Sequence, residues 1–353
     1  MGGRRTNLAL LCLLAAAFLT GWLAFSFNAW SSRVVLVVHG VAGLAIIGLL
    51  PWKSLIARRS LLRRGGSSRG GRPRGGLPST ADRGGRPPLI WFLGGSLALL
   101  LLVSLAFGFL HSGGLPYLWT TPLLSSIPVL RELTAMELHV GAALALLPFA
   151  VWHVIARPVR ARPTDLSRRV VLRLGVLLGA GAVTLTVLPA GRRGLTGSYQ
   201  LDALPVTSWL FDPVPRTDVS SWSLLAGSRR WSYPELAAFS DRTRAVIDCT
   251  GGWYSEQEWE GVWLSRLLPP DQLAGALSIS VRSVTGYPRR FDVADLSRLL
   301  LATRVGGAEL APGNGHPVRI VAPGMRGFWW VKWVAELRPE PVPWWWQSPY
   351  PLQ

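Results

Sequence analysis

The chain has 353 residues, of which 49% are hydrophobic, with 18 tryptophans, two cysteines and a formal net charge of +18. That length suggests about two domains, and two cysteines, Cys12 in an apolar run and Cys249 outside any, argue against a disulfide framework. So basic a chain could suit nucleic acid, but its arginines lie beside apolar runs, which points to membrane topology and to no nucleic-acid partner.

Five segments have the length and character of bilayer spans, which need about 20 residues each. They are Leu8–Phe27, Val34–Leu50, Leu89–Leu110, Leu138–Ile155 and Val170–Leu188. Residues 51–88 carry Lys53 and nine arginines against one acid, Asp82, and five more arginines lie between the fourth and fifth spans. The opposite loops hold little charge. The positive-inside rule then places the N-terminus in the cytoplasm and the chain after Pro189 outside, on a multi-pass protein of the cell membrane. The Gly/Arg/Pro/Ser stretch within 58–88 predicts a disordered basic loop, because it has almost nothing to bury.

Residues 1–160 contain an internal repeat. Val38–His39–Gly40–Val41–Ala42 and the later Leu138–His139–Val140–Gly141–Ala142 correspond. Each follows a helix carrying Thr20–Gly21–Trp22–Leu23 or Phe107–Gly108–Phe109–Leu110, so the first four spans read as two related hairpins. A histidine inside a span is costly and usually functional. His39 and His139, at matching depth, could ligate one haem iron from opposite sides, while interhelical hydrogen bonding is the competing reading. His111 is an alternative haem ligand. His153 lies 14 residues beyond His139, about 21 Å along the helix, a spacing that resembles the two-haem arrangement of membrane b-type cytochromes. The matching place in the first copy is Lys53, so one haem b near the outer face is expected.

Residues 161–190 form the fifth, anchoring span. Its start, Asp165–Leu166–Ser167–Arg168–Arg169–Val170–Val171–Leu172–Arg173, resembles a twin-arginine export signal placed internally. A plain positive-inside anchor would need only the two arginines.

Residues 191–353 suffice for one core and read as α+β. A Pro-rich extended arm covers 203–222, and Ser232–Tyr233–Pro234–Glu235 starts a helix. A strand through Ala245–Val246–Ile247 leads into Cys249–Thr250–Gly251–Gly252–Trp253. Trp259–Glu260–Gly261–Val262 passes into a helical pattern ending at Leu268, 278–285 alternates as a strand, and 293–302 reads as a helix. A thiol at a strand end before two glycines suits a soft metal, although free cysteine is also among the most buried residue types. Tyr254, Glu256 and Glu258 follow closely and read as solvated loop residues.

The cysteine loop with its Trp-x-Gly-Val, and then Asn314–Gly315–His316–Pro317–Val318–Arg319 leading to Val331–Lys332–Trp333, are similar to the molybdopterin-binding domain of the sulfite oxidase family. The resemblance covers roughly 205–350. It implies that Cys249 ligates molybdenum and that Arg319 and Lys332, with His316, hold the pterin. Tyr350 corresponds to the family's active-site tyrosine, one position off its spacing. Two features depart from the family. Pro205–Val206–Thr207–Ser208 stands where sulfite-oxidising members place an arginine, and Gly251–Gly252–Trp253 replaces arginines after the cysteine.

Together these predict a five-helix transmembrane domain, two repeated hairpins plus an anchor, joined to an α+β molybdopterin domain. The implied function is two-electron oxygen-atom transfer on a small-molecule substrate, coupled through membrane haem to quinone or another redox protein. The competing reading is a non-catalytic electron carrier or assembly partner with a metal-free outer domain.

Overall fold

The computed structural model describes residues 3–27, 32–66, 88–113, 133–187, 193–206 and 213–348. The chain divides into two compact units, one helical and N-terminal, the other a C-terminal α+β domain.

The helical unit contains α1 (Gly3–Ser26), α2 (Ser32–Gly66), α3 (Pro88–Ser112), α4 (Ala135–Ala156) and α5 (Arg168–Val187). Four of them are long and apolar enough to cross a membrane, over Gly3–Ser26, Ser32–Arg59, Phe92–Ser112 and Ala135–Ala156. The fifth predicted span is helical, but Arg168, Arg169 and Arg173 make it less apolar, and it is not among those four. Helix α2 runs to Gly66, so residues 58–66 are helical where the composition predicts disorder. Leu, Ala and Arg are strong helix formers and extend the preceding apolar helix past the charge boundary. The rest of that loop, 67–87, lies outside the described residues. Helix α4 begins in a capping box: Thr134 Oγ1 accepts from Glu137 N–H at 3.1 Å, and Glu137 Oε2 accepts from Thr134 N–H at 2.7 Å.

The C-terminal domain holds two sheets. In the first, β1 (Tyr199–Gln200), β5 (Trp253–Trp263), β8 (Leu300–Val305) and β10 (Arg319–Val321) are neighbours in that order, with β4 (Asp241–Asp248) on β5 and β9 (Ala308–Glu309) on β8. The second has the order β3 (Arg229–Ser232), β2 (Ser223–Ala226), β11 (Val334–Glu340), β6 (Ser278–Ser283) and β7 (Pro288–Asp292). Helices α6 (Tyr233–Ala237) and α7 (Leu264–Leu267) are single turns. The first has the expected capping box, Ser232 with Glu235.

The predicted helix over 293–302 is not formed. A 3₁₀ turn at Val293–Asp295 gives way to β8. Leu299, Leu300, Leu301 and Ala302 are all buried, and a strand buried on both faces gives a continuous apolar run that periodicity cannot tell from a helix. Tyr254, Glu256 and Glu258 are likewise on strand β5 rather than a loop. They alternate with the buried Trp253, Ser255 and Trp259, so the two glutamates are exposed.

Strand β5 carries a register shift between Glu260 and Gly261 where it pairs with β8. A Cβ at Gly261 would meet Leu301 O and stand 2.7 Å from Ala302 Cα. The glycine of Trp-x-Gly-Val is therefore set by close backbone approach at a bulge. Gly261→Ala is expected to destabilise the domain by about 1–3 kcal/mol, read as a lowered unfolding midpoint in tryptophan emission with the helical unit's far-UV signal retained.

Candidate active site

Strands β4 and β5 form a hairpin paired from Asp241↔Gly261 to Asp248↔Tyr254, and Cys249–Gly252 is its loop. Cys249 N–H donates to Trp253 O at 2.8 Å, and Gly252 N–H to Cys249 O at 3.1 Å. Gly252 has φ +87°, a conformation that favours glycine, so the second glycine of the motif closes the turn. Gly251 N–H points to Cys249 Sγ at 3.4 Å.

The loop is held from beneath by a buried acid. Asp248 accepts from Ser198 Oγ on Oδ1 and Thr196 Oγ1 on Oδ2, both at 2.7 Å, and its Oδ1 also pairs with Arg326 Nη1. All four residues are buried. Gly327 allows this approach, since a Cβ there would stand 2.9 Å from Cys249 Cα. None of Thr196, Ser198 and Arg326 is marked in the sequence by a motif. Asp248 adjoins the cysteine, but its partners come from 50 or more residues away.

Cys249 lies on a pocket of about 750 Å³, open mouth included, which Arg319, Lys332, Asn314, Trp253 and Tyr287 also line. Arg319 on β10 is 2% exposed. Its Nη1 donates to Asn314 O at 3.0 Å and its Nη2 to Trp330 O at 3.3 Å. The guanidinium lies 5.2 Å from the Trp259 ring centroid and 5.8 Å from that of Trp330, within cation–π range. Among the described residues no carboxylate pairs with it. Burial lowers its pKa well below the usual guanidinium range, to about 10, a shift opposed by the nearby Cys249 sulfur. Lys332 Nζ donates to Gly313 O at 2.7 Å. Gly315, at φ +108°, lets its segment lie against both cations, since a Cβ there would be 3.0 Å from Arg319 Cβ and 3.2 Å from Lys332 Cβ.

Two buried donors on this lining, Arg319 Nε and Trp253 Nε1, have no hydrogen-bond partner among the described residues. A buried polar group left unpaired is costly. A soft sulfur ligand, a desolvated cation and two orphan donors around one cavity fit an anionic, metal-bearing organic cofactor. His316 does not line the pocket; it is half-buried and meets Tyr233 edge-on, with ring centroids 5.4 Å apart. Tyr350 lies outside the described residues.

In the helical unit the rings of His39 and His139 are 5.7 Å apart between centroids, at 80°. His39 Nδ1 is 2.8 Å from Ala17 O and His139 Nδ1 is 2.7 Å from Ser104 O. A carbonyl only accepts, so Nδ1 carries the proton in each and Nε2 keeps the lone pair. Four residues beyond each carbonyl stands a glycine against the ring: a Cβ at Gly21 would be 2.8 Å from His39 Cε1, and one at Gly108 2.8 Å from His139 Nδ1. His111 is buried at the end of α3.

The α+β fold places a thiol, a buried guanidinium and orphan donors around one pocket, a lining that suits an anionic ligand. Residues 212–343 match the family model described as the oxidoreductase molybdopterin binding domain. That match places a molybdopterin-binding oxidoreductase domain in the C-terminal part of the chain. Among solved structures it is similar to the sulfane dehydrogenase SoxCD from Paracoccus pantotrophus, at 22% identity and a TM-score of 0.33, over 36% of this chain and 40% of that one. The chain thus spans well under two thirds of that protein's length. A search of curated protein sequences finds no match.

Asp248→Asn leaves Arg326 buried without its countercharge and is expected to cost about 3–5 kcal/mol, measured by chemical denaturation. Asp248→Asn combined with Arg326→Met removes both charges, and recovery of part of that loss is expected.

Proposed function

We propose that the chain is a membrane-anchored molybdenum oxidoreductase whose C-terminal domain lies on the extracytoplasmic face. Five helices would anchor it, with the N-terminus in the cytoplasm, in line with the arginine distribution. The twin-arginine-like segment before α5 suits export of a domain that folds around its cofactor first. The observation that carries the reading is Cys249 on the same pocket as an uncompensated, buried Arg319.

Cys249 is the protein's ligand to molybdenum. Arg319 and Lys332 hold the anionic part of the pterin, and Trp253 Nε1 and Arg319 Nε supply donors to it. Bound molybdenum supplies two-electron oxygen-atom transfer. The residues' own contribution is to fix the thiolate by the Gly251 N–H and the Asp248 network, and to line the pocket with indole and phenyl rings that limit water. The substrate is a small molecule. Among the described lining residues the cations are Arg319 and Lys332, both directed to backbone carbonyls, so this pocket differs from one built on several arginines for sulfite.

His39 and His139 would hold one haem b, with His111 the alternative to either. In support, each Nδ1 faces a carbonyl, the arrangement that orients a metal-binding imidazole. Haem there supplies one-electron transfer, with quinone or another redox protein as partner.

Molybdenum and iron measured in one preparation of the full chain test both halves. About one of each per chain is expected. Cys249→Ala and Arg319→Leu should lose molybdenum and keep iron, while His39→Ala and His139→Ala should lose iron and its visible absorption and keep molybdenum. Iron without molybdenum, from a host that makes the cofactor, would overturn the enzyme reading for this pocket.

A further inference from the structure

Beyond β11 the chain runs through Trp344–Trp345–Trp346, whose side chains turn outward: the three are 39%, 61% and 68% exposed. Consecutive tryptophans on a water-facing surface are unusual, because each ring buries a large apolar area when it can. A floppy tail would explain their exposure, but this one is fixed. The Gln347 side-chain amide accepts from Arg290 N–H at 3.0 Å and donates to Arg290 O at 2.9 Å, taking both backbone groups of one residue on β7, the edge strand of its sheet. Arg290 Nη1 donates to Trp346 O at 2.9 Å and Arg289 Nη1 to Ser348 O at 2.8 Å. Trp344 packs on Trp329 with centroids 6.2 Å apart. The strap thus blunts a sheet edge while holding two indoles, Trp345 and Trp346, 6.1 Å apart on the outside.

We infer that Trp345 and Trp346 form a membrane-contact site through which the C-terminal domain rests on the bilayer interface. Indole combines an apolar body with one N–H donor and suits the headgroup region better than water or hydrocarbon. The occupant is a lipid surface because the same chain carries four helices of membrane length, which keep a bilayer at high effective concentration near the domain. A rigid strap also loses little conformational freedom on contact, so the interaction needs few residues. The inference rests on reading those helices as membrane spans.

The test reconstitutes the full chain, wild type and Trp345→Ser/Trp346→Ser, in phosphatidylcholine vesicles with and without lipid brominated on the acyl carbons nearest the headgroup. The difference in emission between the two proteins reports on these two tryptophans. The expected result is that brominated lipid quenches this difference, with equal molybdenum per chain in both proteins. A difference that survives brominated lipid, while the remaining tryptophans are quenched, overturns the contact and leaves the spans standing. Absence of quenching in both proteins overturns the contact together with the reading of the helices.

Discussion

A guanidinium buried against two indoles, with no carboxylate beside it among the described residues, is the constraint around which the C-terminal domain is arranged. Burying a lone cation is costly, and such a charge normally persists only when paired. Arg319 is held by two backbone carbonyls and two aromatic faces, which offset part of that cost. The remainder is left for a ligand, and the unpartnered Nε marks where it would be offset. The aromatic walls are then not incidental. Trp259 and Trp330, with ring centroids 5.5 Å apart, exclude water and so raise the attraction of the cation for an anion.

The cysteine loop follows the opposite strategy. Beneath Cys249 every strong group is satisfied: Asp248 has two hydroxyl donors and a guanidinium, and Arg326 has its carboxylate. A fully satisfied buried network is rigid, whereas a partly satisfied one is a liability. The site therefore sets a rigid cysteine loop against a buried cation with an unpartnered donor. Glycines stand where backbones must meet: Gly327 against Cys249, Gly315 against Arg319 and Lys332, and Gly261 against β8.

The helical unit uses glycine in the same way. Gly21 and Gly108 admit the His39 and His139 rings against neighbouring helices, and a carbonyl one turn earlier fixes each Nδ1. Without the bare Cα the ring could not approach that closely, and the hydrogen bond that sets its tautomer would be lost. The carbonyl-to-glycine spacing of four is the same on α1 and on α3, where Thr20–Gly21–Trp22–Leu23 and Phe107–Gly108–Phe109–Leu110 correspond.

The sequence by itself determined the apolar helices, the capped turn at Ser232–Glu235, the strand into Cys249 and the residue types at the pocket. Each is encoded locally, in hydropathy, capping chemistry or a short motif. It also pointed to Cys249, Arg319 and Lys332 on the strength of a family resemblance, and these three share one cavity. Local pattern failed at β8, where burial on both faces erases the alternation that marks a strand, and at residues 58–66, where helix propensity outlasts the apolar run. Only the tertiary structure decided that Thr196, Ser198 and Arg326 anchor the cysteine loop, that His316 meets Tyr233 edge-on away from the pocket, and that Trp259 forms a wall of the Arg319 cage. Each of those roles is a contact between residues far apart in the chain, and such contacts exist only once sheet pairing has fixed which side chains share a face.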